Sequence, residues 1–195
     1  MELQQASNIA TQLVEYLRPH CDRIQVAGSI RRESPFVNDI EIVCQPKGQP
    51  QEDLFGSVTG HTRSKEFIQA LTAIGEKVKG QPADGRYCRF KVNGTTLEVD
   101  VFMPEPADYF RQLTIRTGSR DFVKNFIAAG WKKKGWCGTP DGLRLIRECT
   151  GKPNTSGGTD WTCNVKNPTL PPVWESEEAF FTWLGMLFVK PKFRA

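Results

Sequence analysis

Residues 23–46 read RIQVAGSIRRESPFVNDIEIVCQP, and this stretch determines which fold the rest of the sequence predicts. RIQVAGS predicts a short strand that ends in a glycine–serine turn, and NDIEIVCQP alternates polar and apolar residues, which predicts a second strand. Successive side chains of a strand point to opposite faces. Asp39 and Glu41 are therefore expected on one face of the second strand, with the neighbouring isoleucines toward the core.

The segments around these two strands add helices and a hairpin. Apolar residues recur at helical spacing in two segments, and two alternating runs flank Asn93-Gly94, a dipeptide typical of two-residue hairpin turns. The predicted elements are a helix over 2–19, a loop at 46–50, a helix over 64–79, and strands over 86–93 and 95–102. A strand-rich half with one helix before the sheet and one within it predicts an α+β fold.

The second half of the chain is predicted to be a smaller domain. A boundary near Pro104 divides the chain into domains at 1–105 and 106–195. Ser119 can cap a helix that runs to about Lys134. The other expected elements are loops at 151–160 and 167–172 and a last helix over 176–188.

The composition of the 195-residue chain predicts a soluble globular protein. Hydrophobic residues make up 38% and charged residues 25%, which excludes a chain disordered along its length. No stretch approaches the roughly 20 apolar residues of a membrane span, and the first residues lack the features of a secretory signal. The six cysteines form no CxxC pair and are expected to be reduced cytosolic thiols, mostly in the core or incidental, with a disulfide framework or a zinc site as the alternative.

The net charge of +4 is distributed unevenly. Between Arg111 and Lys152 there are ten basic residues and only three acidic ones, so this stretch has a net charge of +7 and the remainder has −3. A basic segment beside an acidic one indicates a polyanionic partner held next to an anionic site. A solvated lysine-rich surface is the alternative that charge alone leaves open.

Three carboxylates are candidates for a metal site. Asp39 and Glu41 repel each other on their shared strand face, and a divalent cation with oxygen ligands would relieve that repulsion. Asp100 lies on the later predicted strand LEVDVF, and if the two strands are neighbours, the three carboxylates could meet around one or two ions. A strand with a solvated polar face is the alternative for the first pair.

The turn at Gly28-Ser29 is a candidate phosphate site. It exposes backbone N–H groups and a hydroxyl, and Arg31 and Arg32 follow directly, so guanidinium groups could clamp phosphate oxygens. Such turns are common, and a purely structural turn is the alternative.

The ordered combination of these motifs resembles the nucleotidyltransferase superfamily: a strand, Gly-Ser-x-Arg-Arg, Asp-x-Glu on the next strand, and a third aspartate on a later strand. The segment TGSRDFVKN at 117–125 resembles the thumb-helix motif of family X DNA polymerases, the DNA polymerase beta group. The end of the chain, ESEEAFFTWLGMLFVKPKFRA, resembles that family too. The resemblance runs from about Ile24 to Ala195 and corresponds to a compact palm-plus-thumb form that lacks the lyase domain.

This resemblance implies a nucleotidyltransferase palm, a mixed or antiparallel sheet flanked by helices, followed by a small α/β thumb. The implied activity is template-directed addition of deoxynucleoside triphosphates to a primer 3′-hydroxyl, on primer-template or gapped DNA, by a repair or gap-filling enzyme with two-metal-ion catalysis. Asp39, Glu41 and Asp100 would be the catalytic residues and the ligands of Mg²⁺ or Mn²⁺. The implied nucleotide-binding residues are Gly28, Ser29, Arg32, Asn38, Thr117, Gly118 and Ser119.

Four lysines are the candidate DNA contacts. They are Lys124, Lys132, Lys133 and Lys134, and the last three lie between two tryptophans. The alternative is a helix end whose lysines complement the helix dipole while Trp131 and Trp136 pack. A monomer is expected, located where the DNA is: cytoplasm, nucleoid, nucleus or virion.

The chain departs from the family at three places. Glu41 stands where the family usually has aspartate, which favours weaker or Mn²⁺-dependent activity. Glu98 stands where the family usually has arginine, and we expect a surface residue, a salt-bridge partner or a proton acceptor, in that order. Ile115 and Arg116 replace an aromatic pair that contacts the sugar, which weakens the expected sugar discrimination.

Two other functions remain open on the sequence. One is an untemplated nucleotidyltransferase that acts on an RNA end, a protein or a small molecule. The other is a catalytically inactive DNA-binding module, which Glu41 and Glu98 favour.

Overall fold

The computed structural model describes residues 1–52, 58–155 and 157–195. They form two compact units, one of Met1–Ser119 with Lys190–Ala195 and one of Arg120–Val189. The expected boundary at 105–106 falls inside the first unit, because the helix at Tyr109–Thr117 packs on that unit's sheet. Within the described ranges, no helix is both long enough and apolar enough to cross a membrane.

The first unit confirms the predicted α+β fold. In chain order its elements are α1 (Leu3–Leu17), β1 (Cys21–Val26), α2 (Gly28–Arg31), β2 (Ile40–Pro46), β3 (Gly48–Glu52), β4 (Val58–Arg63), α3 (Lys65–Ala73), β5 (Gly75–Gly80), β6 (Tyr87–Val92), β7 (Glu98–Phe102) and α4 (Tyr109–Thr117). Strands β1, β2, β7, β6 and β5 lie side by side in that order in a mixed sheet. β2 and β7 are parallel, and the other neighbours are antiparallel.

Helices cover both faces of this sheet. On one face, α1 and α3 pack against Ile40 and Ile42 of β2. On the other face, Tyr109 of α4 packs with Val43 and Phe102. The central strands β2 and β7 are largely buried on both faces, which explains why they are rich in β-branched residues.

The strand carboxylates lie on the α4 side of the sheet. Glu41 shares a face of β2 with Val43, and Asp100 shares a face of β7 with Phe102, because side chains alternate along a strand. The prediction that the carboxylates and the isoleucines lie on opposite faces of the strand is therefore confirmed for Glu41. Asp39 precedes the first residue of β2, so it is not part of the strand.

The predicted helix over 64–79 is wrong in its second half. α3 ends at Ala73, and Gly75–Gly80 form β5, the antiparallel neighbour of β6. Gly75 permits the close approach of the two strands, since a Cβ there would overlap the carbonyl oxygen of Lys91. Helical spacing does not reveal this change, because the partner strand β6 decides whether an edge segment pairs.

The hairpin around Asn93-Gly94 is confirmed, but its turn is longer than predicted. Lys91 lies opposite Glu98, and the Val92 N–H donates to the Leu97 carbonyl oxygen at 2.9 Å. Four residues, 93–96, therefore lie between the paired residues Val92 and Leu97, instead of two. Compared with the register that a two-residue turn would give, the pairing of Val92 with Leu97 shifts β6 against β7 by two residues.

Two predicted loops are partly strand. The segment at 46–50 runs from the end of β2 into β3, which pairs with β4 as a separate hairpin. The Lys47 N–H donates to the His20 carbonyl oxygen, and the Ser64 N–H donates to that of Lys47, so backbone pairing continues through this segment. In the second predicted loop, at 151–160, the residues up to Pro153 and those from Thr159 belong to two strands that pair as a hairpin of the second unit.

The second unit contains a helix interrupted by a wider turn, two hairpins and a last helix. Its elements are α5 (Arg120–Phe122), a π-helical segment (Val123–Ala128), α6 (Ala129–Lys133), β8 (Trp136–Thr139), β9 (Gly142–Leu145), β10 (Cys149–Pro153), β11 (Thr159–Cys163) and α7 (Glu177–Leu184). The Ser176 hydroxyl caps α7 by accepting the Ala179 N–H at 3.1 Å. α7 ends four residues earlier than predicted, because Gly185 adopts φ 79° in the left-handed region.

Candidate functional site

The two strand carboxylates lie next to each other in the sheet. In the parallel pairing of β2 with β7, Glu41 is the register partner of Asp100. Asp39 lies two residues before Glu41, in the bend that leads into β2. The structure thus meets the condition set by the sequence, that the strands of Asp-x-Glu and of Asp100 be neighbours.

The Gly28 turn packs directly against Glu41. Gly28 is buried and adopts φ 64°, and a Cβ at this position would overlap the Oε2 atom of Glu41. The Ala27 N–H donates to the Glu41 carbonyl oxygen at 2.7 Å, which anchors the turn to β2. Only glycine fits here, both for the backbone and for the space that the carboxylate occupies.

The electrostatics of the site are those of crowded negative charge. Burial, and then repulsion from Asp39, raise the pKa of Glu41 from 4.5 to about 7. Burial, and then repulsion from Asp100, raise the pKa of Asp39. Within the described part of the chain, neither the Asp39 nor the Glu41 carboxylate has a salt bridge or a hydrogen bond to another side chain. The arrangement therefore favours binding of a cation.

Asp100 differs from the other two carboxylates because it is already paired. Arg89 of β6 donates from Nε and Nη2 to its two oxygens at 2.6 and 2.7 Å, and the Tyr87 hydroxyl donates at 2.8 Å. Arg89 also donates to Glu98 at 3.0 Å, so Glu98 is a salt-bridge partner and not merely a surface residue. The hydrogen bond to Asp100 raises the pKa of Arg89.

Sequence reasoning missed Arg89 and Tyr87. Both lie on β6 with the parity that places them on the face of Asp100, and this parity is the sequence feature that could have indicated them. Which acidic residue lies opposite Arg89 depends on the turn length. The four-residue turn pairs Arg89 with Asp100, whereas the predicted two-residue turn would have paired it with Glu98.

The carboxylates do not form a preformed metal centre. Among the described residues, no group of three or more histidine, cysteine, aspartate or glutamate side chains could hold a metal ion. The chemistry of the site agrees with this, since Arg89 pairs with both oxygens of Asp100, whereas neither Asp39 nor Glu41 has a salt bridge among the described residues. Asp39 and Glu41 thus fit a cation by charge, and Asp100 would join them only when its pairing with Arg89 loosens.

Several predicted nucleotide-binding residues lie together beside the carboxylates. Arg32 donates to the Thr117 carbonyl oxygen at 2.7 Å, and Arg31 donates to the Thr117 hydroxyl at 2.9 Å. These bonds join the turn after β1 to the end of α4, across 86 residues of sequence. Ser29 is half-buried in α2, next to Gly28.

The other predicted nucleotide-binding residues flank this pair of elements. The Gly118 N–H donates to the Thr114 carbonyl oxygen at the end of α4, and the Ser119 N–H donates to that of Arg194. Asn38 is exposed and directly precedes Asp39. Ser119 directly precedes α5, which begins at Arg120.

Arg116 is a second cation that sequence reasoning did not place at the site. Its guanidinium carbon lies 4.0 Å from the centre of the Phe102 ring. Burial lowers the pKa of Arg116, and attraction to Glu41 partly opposes that shift. Arg116 therefore partly offsets the negative charge on the α4 side, at a position where the resemblance implied a sugar contact.

The candidate DNA-binding lysines all belong to the second unit. Lys124 is exposed in the π-helical segment, and Lys132, Lys133 and Lys134 are exposed at the end of α6. Trp131 is buried, and Lys134 lies 5.7 Å from the centre of the Trp183 ring. The tryptophans thus pack, as the structural alternative predicts, while the lysines remain accessible to an anionic partner.

Comparisons with known proteins give no identification. No protein-family model matches the chain, and no curated protein matches it either.

Proposed function

We propose that this protein is a template-directed DNA polymerase that adds deoxynucleotides to a primer 3′-hydroxyl, of the gap-filling repair type. The observation that carries the proposal is the pairing of Glu41 with Asp100 on adjacent parallel strands, with Asp39 close by. Repulsion among these carboxylates contributes to the raised pKa values of Asp39 and Glu41. Crowded carboxylates destabilise a fold unless a cation or a proton compensates their charge, so this arrangement supports a cation-binding site.

The proposed roles follow from the position of each group. Asp39 and Glu41 would hold a divalent cation, Mg²⁺ or Mn²⁺, and Asp100 would take part after its release from Arg89. A bound cation neutralises phosphate charge and lowers the pKa of the attacking hydroxyl. Asp100, the register partner of Glu41, would accept the proton of the primer hydroxyl.

The nucleotide phosphates would bind on the Gly28 turn. Ser29 offers a hydroxyl there, and Arg32 offers guanidinium donors that now reach the Thr117 carbonyl oxygen. Phosphate oxygens are stronger acceptors for guanidinium than a carbonyl, so a triphosphate can compete for Arg32. Thr117, Gly118 and Ser119 would then lie beside the sugar and base.

The four exposed lysines of the second unit support DNA as the partner. A protein that neutralises phosphates with lysine gains affinity from counterion release, whatever the base sequence. The proposed substrate is primer-template or gapped DNA, with deoxynucleoside triphosphates as the second substrate.

A second candidate is a catalytically inactive DNA-binding module. The specific observation in its favour is the bidentate pairing of Arg89 with Asp100, which occupies both carboxylate oxygens.

Primer extension distinguishes these functions. The purified protein is incubated with a one-nucleotide-gap duplex, with the same primer as a single strand, and with Mg²⁺ or Mn²⁺. Incorporation restricted to the nucleotide complementary to the template supports the polymerase. Extension of the single strand alone supports an untemplated nucleotidyltransferase. Binding of the duplex with no extension under either metal supports the inactive module.

A further inference from the structure

The six cysteines are far apart in sequence but form two groups in the structure. Cys21, Cys44 and Cys88 are buried in the core of the first unit. In the second unit, Cys137 is buried, whereas Cys149 and Cys163 are partly exposed. The second group therefore contains the two thiols that a solute can reach.

Cys149 and Cys163 lie directly opposite each other in the β10–β11 hairpin. The Asn164 N–H donates to the Glu148 carbonyl oxygen at 3.0 Å, so the neighbouring pair is a hydrogen-bonded one. Pairs alternate along an antiparallel ladder, and Cys149 and Cys163 consequently occupy a non-hydrogen-bonded position. At such positions the Cα atoms are about 4.5 Å apart and the side chains approach most closely.

This spacing falls in the range that a disulfide needs, about 4.4–6.8 Å between Cα atoms. The thiols are also close enough to affect one another, since Cys137 and Cys163 both influence the pKa of Cys149. No group of metal-ligating residues is found within the described ranges, so soft-metal binding is not the chemistry that the geometry favours.

We propose that Cys149 and Cys163 form a redox modification site, which closes to an intramolecular disulfide by exchange with a small-molecule disulfide such as glutathione disulfide. The site lies wholly in the second unit and does not depend on the proposed polymerase activity. The disulfide covalently links β10 to β11.

The exchange takes place in two steps. The Cys163 thiolate attacks one sulfur of glutathione disulfide, whose S–S bond breaks and releases one glutathione thiolate. The Cys149 thiolate then attacks the Cys163 sulfur of the mixed disulfide and releases the second glutathione. Two protein thiols are oxidised, one glutathione disulfide is reduced, and the two protons end on the glutathione thiolates.

Cys137 is the third thiol of the group, and it stays reduced. It is buried at 3% exposure, and its Sγ donates to the Arg144 carbonyl oxygen at 3.5 Å. Burial and the contact with Cys149 raise the pKa of Cys137 to about 12, so almost none of it is thiolate. Burial also raises the pKa of Cys149, which lowers its thiolate fraction and disfavours it as the first nucleophile.

Thiol counting tests the proposal. The reduced protein is equilibrated with oxidising glutathione buffer, quenched in acid, denatured, and alkylated with N-ethylmaleimide. We expect four of the six cysteines to be alkylated, so the intact mass should equal that of the reduced protein plus four maleimide adducts minus two hydrogens. Cys149→Ser and Cys163→Ser should each abolish this loss, whereas the matched control Cys137→Ser should retain it.

Peptide mapping on the unmutated protein gives the pairing without relying on variants. Trypsin does not cut between Lys152 and Pro153, so both cysteines remain in the 148–166 peptide. A second cleavage at Asp160 separates them, and the two fragments should stay joined until a reductant is added. Six alkylated thiols at the most oxidising ratio, a bond that includes Cys137, or glutathione mixed disulfides alone would each overturn the proposal.

Discussion

Replacing Glu41 with glutamine is expected to stabilise the metal-free protein at pH 8. Glu41 is held against Gly28 and next to Asp39, and its pKa is raised from 4.5 to about 7 by burial and by repulsion from Asp39. Glutamine has nearly the same shape but cannot ionise, so it retains the packing and removes the repulsion.

The magnitude follows from the linkage between ionisation and folding. Because the folded pKa lies above the unfolded one, the stability that this carboxyl contributes is fully present below pH 4.5. It is lost as the pH rises through about 7. A shift of this size corresponds to about 3 kcal/mol, at about 1.4 kcal/mol per pKa unit. The advantage of Glu41→Gln should therefore grow from near zero at pH 4 to about 3 kcal/mol at pH 8.

Urea unfolding at several pH values in EDTA measures this difference. Glu105→Gln is the matched control, because Glu105 is 67% exposed and pairs with Arg86 at 3.6 Å. This control should change the free energy of unfolding by less than about 1 kcal/mol at any pH. Adding Mg²⁺ at pH 8 should narrow the gap between wild type and Glu41→Gln, since a cation relieves the same repulsion. The reasoning would be refuted if the variant and the wild type had the same free energy of unfolding at both pH 4 and pH 8. A Glu41→Gln variant less stable than the wild type at pH 8 would also refute it.

Three further variants test separate contacts. Gly28→Ala should destabilise the protein more than Gly94→Ala, by about 1 kcal/mol or more, because both glycines have positive φ but only Gly28 faces a carboxylate. Equal losses of stability in thermal unfolding would contradict the packing of Glu41 on Gly28. Arg89→Met should lower the free energy of unfolding in urea by about 2 kcal/mol, because Asp100 is 8% exposed and loses a bidentate partner. Arg86→Met should lower it by less than about 1 kcal/mol, and similar losses for the two variants would argue against the Arg89–Asp100 pairing. Replacing Lys132, Lys133 and Lys134 with alanine should lower the slope of log affinity for duplex DNA against log salt by up to about 3, and an unchanged slope in a fluorescence anisotropy titration would remove these lysines from the DNA contact.

The sequence predicted the parts of the fold that depend on local periodicity. Alternation in NDIEIVCQP and LEVDVF was sufficient to place Glu41 and Asp100 on faces away from Ile40 and Ile42, and the structure agrees. Capping of α7 by Ser176 is equally local, because the hydroxyl and the N–H that it accepts are three residues apart. Each of these features is decided within a single element.

The strand register and the long-range contacts could not be predicted from local periodicity. One turn length decided whether Arg89 faces Glu98 or Asp100, and the preference of Asn93-Gly94 for two-residue turns gave way to pairing of Val92 with Leu97. Bonds from Arg31 and Arg32 to Thr117 likewise span more than 80 residues. Such contacts depend on how elements pack, which local propensity does not encode.

Incorporation of a single templated nucleotide by Asp100→Asn tests the central claim most directly. The rate on a one-nucleotide-gap duplex with Mg²⁺ is compared with that of the wild type and of Asp22→Asn, an exposed aspartate on β1. Asparagine has the same size but can neither accept the hydroxyl proton nor supply a negative charge. We predict a fall of about 100-fold or more for Asp100→Asn and no fall for Asp22→Asn. A wild-type rate for Asp100→Asn, within about a factor of three, would contradict the account.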